Sequence, residues 1–203
     1  MIGIVDYGLG NLRSVEKAFA SLHCQARISA DPDSLRKFDR LVLPGVGSFG
    51  QASRSLVSSG LMEAVKDYAK LNRPLLGICL GMQLLADAGE EGGQYSGLGL
   101  IPGRVEKLVG EEKLPHVGWN RLRFQHKSVL LEGIEDGSHM YFVHSYGFKP
   151  KNKEYQKAAA YYGEDFCALI EKDQVYGVQF HPEKSSTFGL QLLENFAKRS
   201  EQA

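Results

Sequence analysis

The sequence predicts an α/β protein with a mostly parallel central sheet, flanked by helices and extended by additional antiparallel strands in its C-terminal half. Apolar β-rich runs alternate with helix-patterned segments up to about residue 87, whereas strand-like runs follow one another closely after residue 104. Alternation favours parallel strands with crossover helices, and close spacing favours antiparallel pairs. Because 203 residues with 43% apolar composition can fill one core, we expect a single domain over residues 1–203.

Each element of the first half follows from its apolar periodicity. Leu12, Val15, Phe19 and Leu22 recur at helical spacing, and the runs between the helical segments are short and rich in β-favouring residues. Helices are therefore expected at residues 11–22, 61–71 and 80–87. Strands are expected at residues 2–5, 24–29, 40–44 and 74–78.

The second half is predicted to be richer in strands. Few helical patterns separate its β-rich runs, so we expect antiparallel pairs appended to the parallel core. The predicted strands cover residues 104–109, 121–124, 140–148, 157–162, 167–171 and 175–180. The chain is expected to close with an amphipathic helix at residues 186–198, where Phe188, Leu192, Leu193 and Phe196 share one face.

Charge and cysteine content exclude several classes of partner. Twenty-four basic residues balance twenty-four acidic ones, so we expect no nucleic-acid and no membrane partner. The N-terminus lacks the pattern of a signal peptide and no apolar run is long enough to span a bilayer, which predicts a cytoplasmic protein. Three cysteines are an odd number, so a disulfide framework is not expected.

Cys79 is a candidate nucleophile because it lies between Gly77 and Gly81, where a predicted strand passes into a predicted helix. A nucleophile elbow has this pattern, since a sharp turn exposes the reactive atom and glycines avoid clashes with the neighbouring backbone. The position at a helix start favours a thiolate, and the backbone N–H of Leu80 becomes a natural oxyanion donor. The alternative interpretation, a small buried hydrophobe, suits Cys24 and Cys167 better.

His181 is the candidate base for this nucleophile. It follows an apolar strand, and Pro182 forces it into an extended conformation, so its side chain and that of Glu183 project to the same side. A carboxylate there can fix the tautomer of the imidazole and stabilise its charged form. A His-Pro turn with a solvated glutamate is the alternative, and five other histidines compete for the role.

These motifs resemble the class I (triad) glutamine amidotransferases, in which a Cys nucleophile precedes a His-x-Glu pair with similar order and separation. Four further blocks resemble the glutaminase subunits of imidazole glycerol phosphate synthase within that family, and the resemblance covers nearly the whole chain. The matching blocks are GICLGMQ at 77–83, QFHPE at 179–183, PGVGSFG at 44–50, PHVGWN at 115–120, YFVHSY at 141–146 and KSS at 184–186.

The resemblance implies a class I glutamine amidotransferase fold and a division of labour among the site residues. Cys79 would attack the carboxamide of L-glutamine, His181 would move protons, and Glu183 would orient His181. The family's oxyanion strand corresponds to Gly45, Val46 and Gly47, beside the N–H of Leu80. Turnover would then be gated by one backbone flip.

The same resemblance implies the binding residues. The amine and carboxylate of glutamine would be held by Gly47, Gln83, Glu91, Ser145 and Tyr146, with Glu90 as the alternative to Glu91. The implied partner is a (βα)8-barrel cyclase subunit, bound as a heterodimer in histidine biosynthesis. The residues that would face it are Asn11, Trp119, Tyr141 and Lys184. Ammonia would reach the cyclase through a dry passage, because free ammonia in neutral water becomes ammonium. No cofactor and no metal are expected.

Other interpretations remain to be compared with the structure. Residues 45–50 match G-x-G-x-x-G, a dinucleotide-binding pattern, but Glu63 lies in a helix-patterned stretch where that fold needs an acidic strand end. A catalytically inactive relative, another class I glutaminase and a cysteine peptidase are the remaining alternatives. Metal-dependent hydrolysis is disfavoured, since no histidine pair shows helical ligand spacing.

Overall fold

The structure is a computed structural model that describes residues 1–198. Over that range it contains fourteen strands and five α-helices. The helices are α1 (Leu12–Ser21), α2 (Phe49–Ser58), α3 (Leu61–Lys70), α4 (Leu80–Leu84) and α5 (Ser186–Lys198). The strands are β1 (Ile2–Val5), β2 (Ala26–Ser29), β3 (Arg40–Gly45), β4 (Leu75–Cys79), β5 (Ala88–Gly89), β6 (Tyr95–Ser96), β7 (Gly103–Lys107), β8 (His116–Arg121), β9 (Arg123–Phe124), β10 (His139–His144), β11 (Tyr146–Pro150), β12 (Gln156–Tyr162), β13 (Glu164–Lys172) and β14 (Val175–Val178). Short 3-10 turns cover Pro32–Lys37, Val129–Leu131, Lys153–Tyr155 and Pro182–Lys184.

The central sheet confirms the predicted α/β architecture. Its eight strands run in the order β2-β1-β3-β4-β14-β13-β12-β9. The first five are parallel to their neighbours, and the last four form antiparallel pairs. Strand β14 therefore belongs to both halves, because it is parallel to β4 and antiparallel to β13. This register brings the chain that follows β14 next to the chain that follows β4.

One predicted strand is wrong. The run 140–148 is two strands, because β10 pairs with β8 in a two-stranded sheet while β11 pairs with β7 in a four-stranded one. The chain changes sheets at Ser145, whose carbonyl accepts a hydrogen bond from the N–H of Leu108. The residues on both sides favour β-structure equally, so nothing in their pattern marks the change.

Four elements were missed, namely α2, β8 and the two-residue strands β5 and β6, and one helix was predicted too long. Helix α2 begins after Ser48, whose hydroxyl accepts a hydrogen bond from the N–H of Gln51, and this Ser-x-x-Gln signal was present in the sequence. Strand β8 was missed because its glycine and asparagine weaken the β pattern. Helix α4 ends at Leu84 instead of residue 87, because the carbonyls of residues 84–86 accept hydrogen bonds from the N–H groups of residues 98–101. The remaining boundaries agree within three residues.

Two apolar cores pack on the central sheet. One contains the buried faces of α1 and α5, with Phe19 and Phe196 among its fully buried side chains. The other contains the buried faces of α2, α3 and α4, with Leu56 and Val65. Because strand side chains alternate between faces, helices on both faces give the doubly covered sheet that parallel strands require. Within residues 1–198, no helix is long and apolar enough to cross a membrane.

Helix α4 lies unusually close to strand β3, and Gly81 makes this approach possible. A Cβ atom added at Gly81 would overlap the carbonyl oxygen of Leu43, which is rigid backbone. At Gly77 an added Cβ would lie 2.6 Å from the carbonyl oxygen of Gly81. Both glycines that flank Cys79 are therefore required by close backbone packing, and they keep α4 directly against the end of the sheet.

We expect Gly81→Ala to lower the free energy of unfolding by about 3 kcal/mol or more, because the new methyl group displaces either α4 or β3. Urea unfolding followed by circular dichroism measures the change. Gly137→Ala is the matched control. Its φ of 87° is strained for alanine but nothing lies within 4 Å of the added Cβ, so about 1 kcal/mol is expected. Equal losses in the two variants would contradict the packing argument.

Candidate active site

Cys79 occupies a strained turn between β4 and α4. It is the last residue of the strand and the N-cap of the helix, with φ of 54° and ψ of −110°. Such a conformation is costly for a non-glycine residue and persists only where surrounding structure enforces it, typically at functional sites. Cys79 therefore lies in the kind of sharp strand-to-helix turn that a nucleophile elbow requires. The residue is 6% exposed, so little of the sulfur is open to bulk water.

His181 and Glu183 form a buried pair next to this turn. The Nδ1 atom of His181 lies 2.9 Å from Oε1 of Glu183, and their side chains are 5% and 1% exposed. The carboxylate therefore accepts a hydrogen bond from Nδ1, which leaves Nε2 for the substrate side. Three further bonds hold the backbone of His181: its N–H donates to the carbonyl of Tyr141, and its carbonyl accepts from Oγ of Ser185 and from the N–H of Lys184.

Electrostatics favours the charged form of this histidine. Burial alone would lower the pKa of His181, but hydrogen bonds and charge interactions with Cys79 and Glu183 outweigh burial and raise it from 6.5 to about 9. The imidazolium form of His181 is therefore retained at neutral pH. A cation next to a cysteine favours the thiolate that nucleophilic attack requires.

Two further groups contact the sulfur of Cys79. The carbonyl oxygen of Val143 lies 3.7 Å away and can accept the thiol proton. Nε2 of Gln179 lies 3.8 Å away and donates to the sulfur. Gln179 lies in the QFHPE block, but the sequence alone predicted no role for it. Its position two residues before His181 was the available signal, since alternate residues of an extended segment share a face.

The glycine-rich segment after β3 lies beside the nucleophile. Gly45 and Cys79 are partners in the parallel β3–β4 ladder, so the segment proposed for the oxyanion strand begins next to the sulfur. Val46 is 43% exposed, and Gly47 has φ of 110°, a conformation that favours glycine. Leu80 is the first residue of α4 and is buried, so its N–H adjoins Cys79 from the other side.

Tyr7 is a second residue that sequence reasoning missed. Its hydroxyl is buried against Gly45, where a Cβ atom would overlap it, and it has no hydrogen-bond partner within residues 1–198. Burial, with a smaller contribution from Cys79, raises the pKa of this phenol well above its usual range. Tyr7 is therefore a neutral wall of the site. No motif marked it, because its role depends on the register of β1, β3 and β4.

The structure separates the two alternatives for the acidic binding residue. Glu91 accepts a hydrogen bond from the N–H of Phe49 at 2.9 Å, which ties its carboxylate to the start of α2, directly after the glycine-rich segment. Glu90 instead accepts from the N–H of Lys107 on β7. Of the two carboxylates, that of Glu91 adjoins the segment that contains Gly47.

The remaining candidate binding residues lie where β10 passes into β11. Ser145 and Tyr146 are half-buried there, and the carbonyl of Tyr146 accepts a hydrogen bond from Nε2 of Gln83 at 2.8 Å. The side chain of Gln83 is thus used in part to hold this turn. Burial first, then the charges of Glu91 and Glu90, raise the pKa of the Tyr146 phenol, so the phenol and both carboxylates share one region.

Two of the four residues expected at the partner interface are in contact. Trp119 on β8 and Tyr141 on β10 are register partners, and their ring centroids are 5.9 Å apart. Trp119 is 53% exposed. Lys184 is exposed in the 3-10 turn after His181, and Asn11 is exposed directly before α1, which packs against that turn. These residues therefore lie on the surface close to the His181 segment.

A dinucleotide-binding site needs a glycine-rich turn between a strand and a helix and an acidic residue at the end of a second strand. This fold has the first feature and lacks the second. Residues 45–50 do connect a strand to a helix, β3 to α2. Glu63, however, lies in the first turn of α3 rather than at the end of a second strand. The acidic residue that would bind a ribose is therefore missing at the expected place.

Comparisons with known proteins agree with this geometry. A family model described as "Glutamine amidotransferase class-I" matches residues 3–200. The "Imidazole glycerol phosphate synthase subunit HisH" of Desulfitobacterium hafniense (strain DSM 10664 / DCB-2) is 49% identical over 198 residues, covering 98% of this chain and 94% of that protein. The HisH subunit of Caldanaerobacter subterraneus subsp. tengcongensis is 46% identical over 198 residues, covering 98% of each chain.

Solved structures share the fold at lower identity. A structure titled "Crystal structure of glutamine amidotransferase" superposes with a TM-score of 0.76 at 20% identity, covering 96% of each chain. The "Structure of PurLQS from Thermotoga maritima" also gives 0.76, at 16% identity and the same coverage. The predicted class I glutamine amidotransferase fold is thus confirmed. The chain belongs to the class I glutamine amidotransferase family and, within it, groups with the HisH subunits of imidazole glycerol phosphate synthase.

Proposed function

We propose that this chain, as one glutaminase domain, hydrolyses L-glutamine and passes the ammonia to a cyclase subunit of imidazole glycerol phosphate synthase. The observation that carries the proposal is the strained, buried Cys79 next to a histidine whose Nδ1 lies 2.9 Å from a buried carboxylate. The identity of 45–49% to HisH subunits over nearly the full chain supports the pathway. An inactive relative would have no need to retain the strain at Cys79.

The reaction proceeds in two halves. The Cys79 thiolate attacks the carboxamide carbon of glutamine, and a tetrahedral intermediate forms. The imidazolium of His181 gives its proton to the departing nitrogen, so ammonia leaves and a γ-glutamyl thioester remains. His181 then takes a proton from water, which attacks the thioester and releases glutamate and the Cys79 thiolate. Glu183 keeps Nε2 of His181 directed at the reacting atoms throughout.

Backbone N–H groups are proposed to stabilise the tetrahedral oxyanion. The N–H of Leu80 supplies one donor, and the segment Gly45, Val46 and Gly47 supplies the second after a peptide rotation. The pairing of Gly45 with Cys79 supports this assignment. The positive φ of Gly47 supports the rotation, since glycine crosses between backbone conformations at low cost.

The amine and carboxylate of glutamine are proposed to bind Gly47, Gln83, Glu91, Ser145 and Tyr146. The hydrogen bond from Phe49 to Glu91 supports the choice of Glu91 over Glu90. Oε1 of Gln83 remains available to accept from an amine, because the contacts of this side chain run through Nε2. The negative charge of Glu91 complements the ammonium group of the substrate.

The partner is proposed to be a (βα)8-barrel cyclase that docks on Asn11, Trp119, Tyr141 and Lys184. An exposed tryptophan on the same strand as the 56%-exposed Val117 supports a protein interface there. Ammonia is proposed to travel through a dry passage, where it stays unprotonated and nucleophilic. We place the activity in the cytoplasm, a compartment that suits three free thiols.

The first test is glutamate release from L-glutamine. We expect a low rate for the chain alone and a rise of at least a hundredfold when the cyclase and its nucleotide ligand are added, because binding completes the oxyanion site. A coupled glutamate dehydrogenase assay measures both rates. A high rate for the chain alone would contradict the gate, and a flat low rate in both conditions would contradict the partner.

We expect Cys79→Ala to abolish glutamine-dependent synthesis while leaving the cyclase's synthesis from added ammonium salts intact, because only ammonia production needs the thiolate. Steady-state assays of the complex with each nitrogen source measure the two activities. Cys24→Ala, which changes a half-buried thiol outside the site, is the control and should retain both. Loss of both activities in Cys79→Ala would contradict the proposed division of labour.

We expect Glu183→Gln to lower kcat by about a hundredfold or more and to move the basic limb of the pH profile below 9 toward 6.5. The direction follows because Cys79 first, and then the hydrogen bond and charge of Glu183, raise the pKa of His181, and glutamine removes that charge. The pH dependence of kcat/KM in the complex measures the shift. Glu132→Gln, at an exposed carboxylate, should leave the profile unchanged. An unmoved basic limb in Glu183→Gln would refute the role of the charge.

A further inference from the structure

A continuous series of buried hydrogen bonds ends on the sulfur of Cys79. Nε2 of Gln83 donates both to the carbonyl of Tyr146 at 2.8 Å and to Oε1 of Gln179 at 3.1 Å. Nε2 of Gln179 then lies 3.8 Å from Sγ of Cys79. Gln179 is completely buried and Gln83 is 4% exposed. Neither amide is therefore held by water, and both depend on these partners.

The series fixes which end of Gln179 faces the sulfur. The carbonyl of Tyr146 can only accept, so Gln83 must present its NH2 group to it. That NH2 group also faces Gln179, which must therefore present its oxygen. The NH2 group of Gln179 is left for Cys79. Reversing either amide would place oxygen against oxygen or NH2 against NH2 in a buried site, at a cost of one or more hydrogen bonds.

The carbonyl of Tyr146 is itself fixed from the other side. Nδ1 of His144 lies 2.9 Å from it, and Nε2 of His144 lies 3.1 Å from Nδ1 of His116. Burial lowers the pKa of His144 to about 3 and that of His116 to about 4. Both rings are therefore neutral at pH 7, and each donates from Nδ1. Asn120 completes the series by donating to Nε2 of His116.

We propose that Gln179 is a catalytic residue whose amide stabilises the thiolate of Cys79, with its orientation set by Gln83 and the carbonyl of Tyr146. The contribution to turnover rests on the function proposed above, whereas the effect on the thiolate does not. A neutral amide suits this position because it donates to a thiolate at any pH and competes with no proton transfer by His181. The donated bond favours the charged sulfur over the thiol.

The other groups around the sulfur have different effects. The carbonyl of Val143 favours the thiol, since it accepts the thiol proton and repels a thiolate. His181, with Glu183 behind it, favours the thiolate by its charge. Tyr7 is neutral and buried. Gln179 is thus a second, neutral donor to the sulfur beside His181, and it offsets the Val143 carbonyl before any substrate is bound.

The test is the pH dependence of Cys79 alkylation by iodoacetamide in the full chain, with the Cys79 peptide followed by mass spectrometry. Gln179→Met keeps the length of the side chain and removes its donor. We expect the midpoint of the alkylation profile to rise by about one pH unit, and kcat/KM in the cyclase complex to fall about tenfold at pH 7 with KM unchanged. Gln83→Leu, which frees the amide of Gln179, should shift the midpoint in the same direction by less.

A matched control separates the hydrogen bond from loss of stability. Phe196→Leu trims a fully buried ring on α5, and it should lower the melting temperature without moving the midpoint. A folded Gln179→Met protein with an unchanged midpoint would overturn the proposal, as would an equal shift in Phe196→Leu. A raised midpoint in Gln179→Met supports the proposal even if the unaltered chain does not hydrolyse glutamine with the cyclase. That second outcome would reject only the proposed function.

Discussion

The close packing of helix α4 against the end of the central sheet is the constraint on which the site depends. Cys79 must leave strand β4 and enter α4 within one residue, which imposes its positive φ. Gly81 lets the helix rest on the carbonyl of Leu43, and Gly77 makes room for the helix backbone. Packing in the two apolar cores offsets the strain energy of the Cys79 backbone, because a strained conformation persists only where the surrounding structure enforces it.

The parallel pairing of β4 with β14 explains why the triad assembles from distant parts of the chain. Carboxyl ends of parallel strands meet at one edge of a sheet, so the residues after β4 and β14 become neighbours there. Cys79 ends β4, and His181 follows β14 by three residues. Strand β3 contributes Gly45 at the same edge. Three parallel strands thus supply the proposed nucleophile, base and oxyanion segment, at the place where open α/β sheets bind ligands.

The sequence was sufficient for features that depend on local pattern. The strands that hold Cys79 and lead to His181 were predicted from apolar runs, and the Gly-x-Cys-x-Gly turn from residue type alone. Features that depend on which strands pair were not predictable. The change of sheet at Ser145 leaves no mark in a uniformly β-favouring run, and the early end of α4 results from hydrogen bonds to a loop that is distant in sequence. Tyr7 escaped notice for the same reason, whereas the position of Gln179 two residues before His181 was a local signal that could have marked it.

One residue, Tyr141, links the proposed docking face to His181. The side chain of Tyr141 contacts Trp119 at the surface, while its carbonyl accepts from the N–H of His181 and its N–H donates to Ser185 Oγ. Ser185 Oγ also donates to the carbonyl of His181. A displacement of Tyr141 by a partner must therefore stretch these bonds or move His181 with them. Since proton transfer depends on accurate positioning of the imidazole, a partner bound at the proposed face would act on the proposed base through these hydrogen bonds.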